Sequence, residues 1–137
     1  MFTTTHAIEK IEKGESKLIF IKDDKICFES SSMGIKGALL AHKSHLNGLK
    51  NASVIDKVVG KGAAFIFVKL KVKSVHAFLL SIPAKNLLKE HNISVSYNKL
   101  VPIILNRTGV ATCPIEELVK DINDLEEAIA KMENFIK

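Results

Sequence analysis

Tryptophan is absent from this chain of 137 residues, arginine occurs once, at Arg107, cysteine twice and proline three times. Each shortage excludes something. Aromatic residues make up only 6%, and stacking rings and arginine forks carry much of nucleic-acid recognition, so a dedicated RNA or DNA binder is disfavoured while lysine contacts to phosphate stay open. Cys27 and Cys113 cannot build the disulfide framework of a small secreted domain, so reduced thiols are expected. No apolar run approaches the roughly 20 residues that cross a bilayer. The opening Met1-Phe2-Thr3-Thr4-Thr5-His6 also lacks the basic and then apolar order of a signal peptide, so a cytoplasmic protein with no membrane partner is expected.

What is present fits one globular domain over residues 1–137, because 47% hydrophobic side chains at this length supply a full core without metals or disulfides. The net charge of +5 is uneven, since residues 114–137 hold three lysines against seven acids. The rest of the chain is therefore strongly basic. That asymmetry favours an anionic partner, or self-association of complementary surfaces into a homo-oligomer.

Patterning predicts a short helix over 6–13 and then two strands, 17–22 and 25–30, joined by a tight turn at Asp23-Asp24. Cys27 is expected in or beside this hairpin, acting as a small buried hydrophobe. A second helix is expected over 35–49, on a stripe of Ile35, Leu39, Leu40, Leu46 and Leu49. A third is expected to start at Ser53 and end near Lys69, with Asp56 closing a capping box. Val75 to Ser81 reads as a strand feeding a helix that begins at Pro83, followed by a strand from Ile93 to Tyr97 and another from Val101 to Leu105. Helices after Pro114 and Asp124 close the chain. Alternating strands and helices imply an α/β protein, a three-layer α/β/α sandwich whose mixed sheet of about four or five strands opens with a hairpin.

The segment Ser53 to Ala64 sets Asp56, Lys57 and Lys61, with Gly60 and Gly62, into an otherwise apolar run. On a helix the two lysines share one face and can hold a phosphate or carboxylate, with Asp56 orienting one of them. Alternatively, Asp56 is a cap and the lysine stems merely cover core. The paired glycines suggest close backbone packing or ligand access, since each costs about 0.5–1 kcal/mol inside a helix relative to alanine.

Cys113, at a helix start, is the candidate nucleophile, or else a small apolar residue at a tight helix entry, with His76 the base that the fold could bring to it. Asn106 and Arg107 occupy a turn where the guanidinium fork suits an anion, or else pairs with the acidic final helices. His42 and His45 are three apart, but a solvated or half-buried helix face explains them more simply than a metal.

The motifs Asp56-Lys57-Val58-Val59-Gly60-Lys61, Asn106-Arg107 and Cys113-Pro114-Ile115-Glu116-Glu117-Leu118, with looser agreement at Gly34-Ile35, Leu39-Leu40, Ser81 and Pro83-Ala84, carry a family resemblance. The chain resembles a prokaryotic family catalogued as a domain of unknown function, DUF1893, over about residues 8–130. The resemblance implies a cytidine-deaminase-like fold and adds Ser81 to the ligand-binding candidates Asp56, Lys57, Lys61, Asn106 and Arg107. Deaminase chemistry does not come with it. A zinc deaminase needs a histidine or cysteine, two further cysteines and a glutamate. At the first ligand position the resemblance aligns Asp56, Lys57 and Val58, and the paired cysteines are replaced by Pro83-Ala84-Lys85-Asn86-Leu87. No metal and no cofactor are expected. The leading expectation is metal-free binding of a small anionic or nucleotide-like molecule. The alternatives are a cysteine-dependent enzyme using Cys113 and an oligomeric or nucleic-acid-binding protein.

Overall fold

The computed structural model describes residues 2–32, 34–45, 47–106 and 108–136. Helix α1 (Phe2–Glu12) leads into a hairpin of β1 (Leu18–Lys22) and β2 (Lys25–Ser30). Asp23 and Asp24 turn it with φ of 53° and 61°, the left-handed pair that a two-residue turn of type I′ demands. Then follow α2 (Lys36–His45), β3 (Ser53–Val59), α3 (Lys61–Leu70), β4 (Ser74–Ser81), α4 (Ile82–Glu90), β5 (Ser94–Val101), α5 (Pro114–Val119) and α6 (Leu125–Ile136).

The five strands lie in the order β2-β1-β3-β4-β5. Strands β2, β1 and β3 run antiparallel in sequence, whereas β3, β4 and β5 are parallel and joined by the crossover helices α3 and α4. The large core, including Phe20, Val54, Phe65, Phe67, Leu80 and Met132, fills one face of the sheet. On the other face α1 buries Ala7 and Ile11 against Ile19, Ile21 and Ile55. The result is an α/β/α sandwich with one thin outer layer.

Two expectations need correction. Residues 53–59 form the central strand, paired with β1 on one side and β4 on the other, and not the first half of a helix. A short apolar run looks alike in a buried strand and a buried helix; the β-branched Val54, Ile55, Val58 and Val59 are what favour the strand. Helix α3 begins only at Lys61 and ends at Leu70, with Lys71 in the left-handed conformation at φ 60°. Asp56 therefore caps nothing, and Lys57 and Lys61 share no helical face. Cys27, second, does sit on β2 but is exposed, its thiol donating to the Phe20 carbonyl oxygen at 3.4 Å.

Strand β5 absorbs the start of the expected 101–105 strand; beyond it only the bridge between Leu105 and Thr112 remains. The acidic carboxy-terminal helices meet the basic body within the chain, through an ion pair of Lys69 with Glu126. No helix among the described residues is long and apolar enough to cross a membrane.

Candidate functional site

Helices α3 and α4 both start where a parallel strand ends, and crevices at the carboxyl ends of such strands are where α/β folds hold ligands. A cavity of about 660 Å³ opens there, walled by Asp56 of β3, Gly60, Ile104, Asn106, Cys113 and Glu116. A smaller one of about 310 Å³ shares Ile104 and Glu116 and adds Lys61, Ser81, Thr112 and Lys120.

Glu116 links the two. Its carboxylate accepts the Lys61 N–H at 2.6 Å and the Gly62 N–H at 3.1 Å, satisfying amides that the start of a helix otherwise leaves orphaned. The glycines make this approach possible. A Cβ on Gly60 would stand 2.6 Å from Glu116 Oε1, and one on Gly62 would meet Ile115 Cγ2 at 2.7 Å and Met132 Sδ at 2.9 Å. The close packing anticipated for the paired glycines is thus real, and α5 and α6 are what approach. Burial raises the Glu116 carboxyl above its ordinary range, against the opposing pull of the Gly62 and Lys61 amides and the Lys61 charge. The sequence reading missed this role, because the partners lie 55 residues apart.

Asp56 is only 9% exposed. Burial pushes its carboxyl up to about 8, the Val58 and Lys57 amides pull weakly the other way, and no charged neighbour contributes. Near neutral pH it is mostly a neutral acid, able to donate one hydrogen bond and accept another.

The remaining candidates divide. Asn106 lines the larger cavity, and its Oδ1 accepts from Thr108 Oγ1 at 2.8 Å and the Gly109 N–H at 3.0 Å, which fixes the loop. Cys113 is half-buried in the same wall, its N–H donating to the Ile104 carbonyl at 2.8 Å. His76 does not serve it. His76 is in register with Ile55 of β3, on the pleat opposite Asp56, and its ring engages Ser96 Oγ at 2.7 Å and Asn98 Oδ1 at 3.1 Å.

Lys61 and Ser81 face the smaller cavity. The Lys61 ammonium donates to the Lys120 carbonyl at 2.9 Å and lies 5.6 Å from the Phe65 ring centre. Ser81 is fully buried and caps α4, its oxygen accepting the Ala84 N–H at 3.2 Å. Lys57 is exposed and lines neither cavity, as strand alternation requires beside an inward Asp56. Arg107 lies outside the described residues.

The donor set for zinc-dependent deamination is missing. Helix α3 starts at Gly60-Lys61-Gly62 and α4 at Ser81-Ile82-Pro83, none of them zinc ligands of the usual kind. Among the described residues no three of His, Cys, Asp and Glu are grouped to hold a metal. His42 Nδ1 stands 3.9 Å from Glu133 Oε2 on α6, and its buried ring nitrogens make no hydrogen bond; the His45 side chain is outside the described set. The described residues thus lack the donor set of a zinc-dependent deaminase.

No curated protein matches this sequence. Among solved structures, the chain is similar to a DUF1893 family protein from Thermotoga maritima, with 34% identity, a TM-score of 0.88 and coverage of 98% of this chain and 90% of the other. A diaminohydroxyphosphoribosylaminopyrimidine deaminase/5-amino-6-(5-phosphoribosylamino)uracil reductase from the same organism is 17% identical with a TM-score of 0.48, over 71% of this chain and 35% of that one. The family described as "Domain of unknown function (DUF1893)" matches residues 6–136. The chain belongs to the DUF1893 family.

Proposed function

We propose that this protein binds a small nucleotide-like ligand, without a metal, across its two adjoining cavities. The observation that carries this reading is the shared wall: Glu116 and Ile104 line both spaces, whose chemistries differ. The larger offers apolar surface with Asp56 and Asn106, suited to a planar ring. The smaller holds Lys61, Ser81 at the start of α4, and Lys120 paired with Glu117 at 3.2 Å; Lys61 is the cation offered there to an anionic arm. Arg107, between the lining residues Asn106 and Thr108, is the further cation proposed to meet that arm. Lys57 drops out of the binding set, being outside both cavities.

Calorimetry against a panel of bases, nucleosides and nucleotides tests this. Nucleotides should bind more tightly than their nucleosides, and Lys61→Ala or Arg107→Ala should remove about tenfold of that advantage, while Lys57→Ala changes nothing. Absence of binding across the panel would overturn the reading. A second reading makes Cys113 a nucleophile, favoured by its place in the same cavity wall as the proton-bearing Asp56. It requires a covalent adduct at Cys113 with an electrophilic analogue of a panel ligand; a thiol titrating near the ordinary value of about 8.5 and no adduct by mass spectrometry would sink it.

A further inference from the structure

We infer that the larger cavity takes a planar cation of the amidine or guanidine class, and that seating it releases the proton of Asp56 to solvent. The inference rests on the reading of that cavity as a ligand site and specifies what the ligand presents there: its basic end, with any anionic arm left to the smaller cavity.

The sign of the ligand's charge follows from the walls. Among the described lining residues are two carboxyls, Asp56 and Glu116, and no lysine or histidine. Glu116 is committed to the amides of α3. Asp56 is met only by the Val58 and Lys57 amides of its own strand. It is more than nine-tenths buried, lies on the cavity wall, and among the described residues no ion pair and no side-chain hydrogen bond reaches it. Its neighbours on the adjacent strands are Leu18 and Ala77, while α2 and α3 contribute Ala38 and Ala63 to the wall, all uncharged. Glu116 and Cys113 are the other titratable groups lining the cavity, and Lys57 on the same strand points to the opposite pleat.

An anion placed here would face two carboxyls with no cation among the described lining residues to offset them, Arg107 being the cation proposed for the anionic arm. A compact ammonium would lose strong hydration against apolar walls. An amidinium is planar and more weakly hydrated, and its two parallel N–H groups match a carboxylate in a two-bond fork. In the free protein the carboxyl keeps its proton because burial outweighs the Val58 and Lys57 amides and no cation among the described residues pairs with it. The bound cation supplies that compensation, so the acid ionises, the proton passes to buffer, and a carboxylate–amidinium pair remains.

Benzamidine titrated into the full chain, in buffers of different ionisation enthalpy from pH 6.5 to 9.5, tests the exchange. The expected result is about one proton released per ligand at the acid end and none at the alkaline end. Affinity should rise about tenfold per pH unit before levelling near the Asp56 titration. Benzoate, similar in size and opposite in charge, should bind at least about tenfold more weakly throughout. Asp56→Asn should abolish the proton release and the slope, and Lys57→Ala, outside both cavities, should leave both; if the Asp56 variant does not fold, the buffer comparison on the unmodified chain still decides. Benzamidine binding without proton release, or benzoate binding as tightly, overturns the inference. If nucleotides bind and benzamidine does not, this inference alone falls; if neither binds, the ligand-site reading falls with it.

Discussion

The molecule treats carboxyl groups in opposite ways on the two faces of its sheet. At the hairpin, Glu29 sits near the surface and accepts from Lys10 Nζ at 2.9 Å and Ser16 Oγ at 2.6 Å, and those bonds hold it below the usual glutamate range. At the cavity, Asp56 is buried without a counter-charge and is pushed up to about 8. The first arrangement serves the fold: charge is formed and compensated. The second works against it, since an apolar residue of similar size would fill the same strand position without the cost of desolvating an acid. A local rule broken on a cavity wall is what supports the proposed ligand site.

The largest test of this contrast is Asp56→Asn. The folded-state value of about 8 stands above the ordinary value of 3.8. The stability the protonated acid contributes is therefore complete below about pH 4 and is lost as pH rises to about 8. Asparagine does not titrate, so the variant should gain on the unmodified chain as pH rises, by on the order of 5 kcal/mol at pH 9 as an upper bound. Urea denaturation at pH 5 and pH 9 reads the difference; a variant whose relative stability is the same at both would show that Asp56 is not a buried acid.

Glu116→Ala comes next. It leaves the Lys61 and Gly62 amides without their acceptor and should cost about 2–3 kcal/mol, seen also as faster hydrogen exchange at those two amides. Because burial raises Glu116 as well, its contribution is greatest at acid pH and diminishes as the group ionises, so the variant's deficit should shrink toward alkaline pH. A deficit independent of pH would count against a buried, titrating cap. Gly62→Ala should cost about 1–3 kcal/mol by crowding Ile115 and Met132. Adding Met132→Ala opens the space that the new methyl needs, so the double variant should lose less than the two single losses combined.

Much of the fold was legible in the sequence because it is local. Although Val68, Leu70 and Val72, alternating with lysines, leave the end of α3 ambiguous, the Asp23-Asp24 turn and the proline at the start of α4 each declare themselves within a few residues. Ser53 to Val59 did not, because a buried central strand shows neither the alternation of a half-exposed strand nor the period of an amphipathic helix. That misreading propagated to the site: with 53–59 taken as helix, Lys57 and Lys61 seemed to converge and Asp56 seemed a cap. In the structure Asp56 turns inward, Lys57 outward, and the partner of the α3 start is Glu116, brought from the far end of the chain by the packing of α5 on α3. Motif and composition singled out Asp56, Asn106 and Cys113, which do share a wall. Nothing local could announce the carboxylate that joins the two cavities.

The smallest effect belongs to the hairpin. Glu29→Gln removes an ion pair whose side chains are 20% and 37% exposed, and pairs of this kind are worth under about 1 kcal/mol. Its pH dependence should still run opposite to that of Asp56. The Glu29 carboxyl is lowered on folding from 4.5, so its contribution is present above that value and is lost as pH falls through the folded-state one. The Gln variant should match the parent chain in strong acid and fall slightly behind it above pH 5. Acid titration of the two proteins by circular dichroism would show the curves separating as pH rises. Curves that instead converged as pH rose would mean that folding disfavours the ionised form of Glu29 as it does that of Asp56, and the contrast between the two faces would fail.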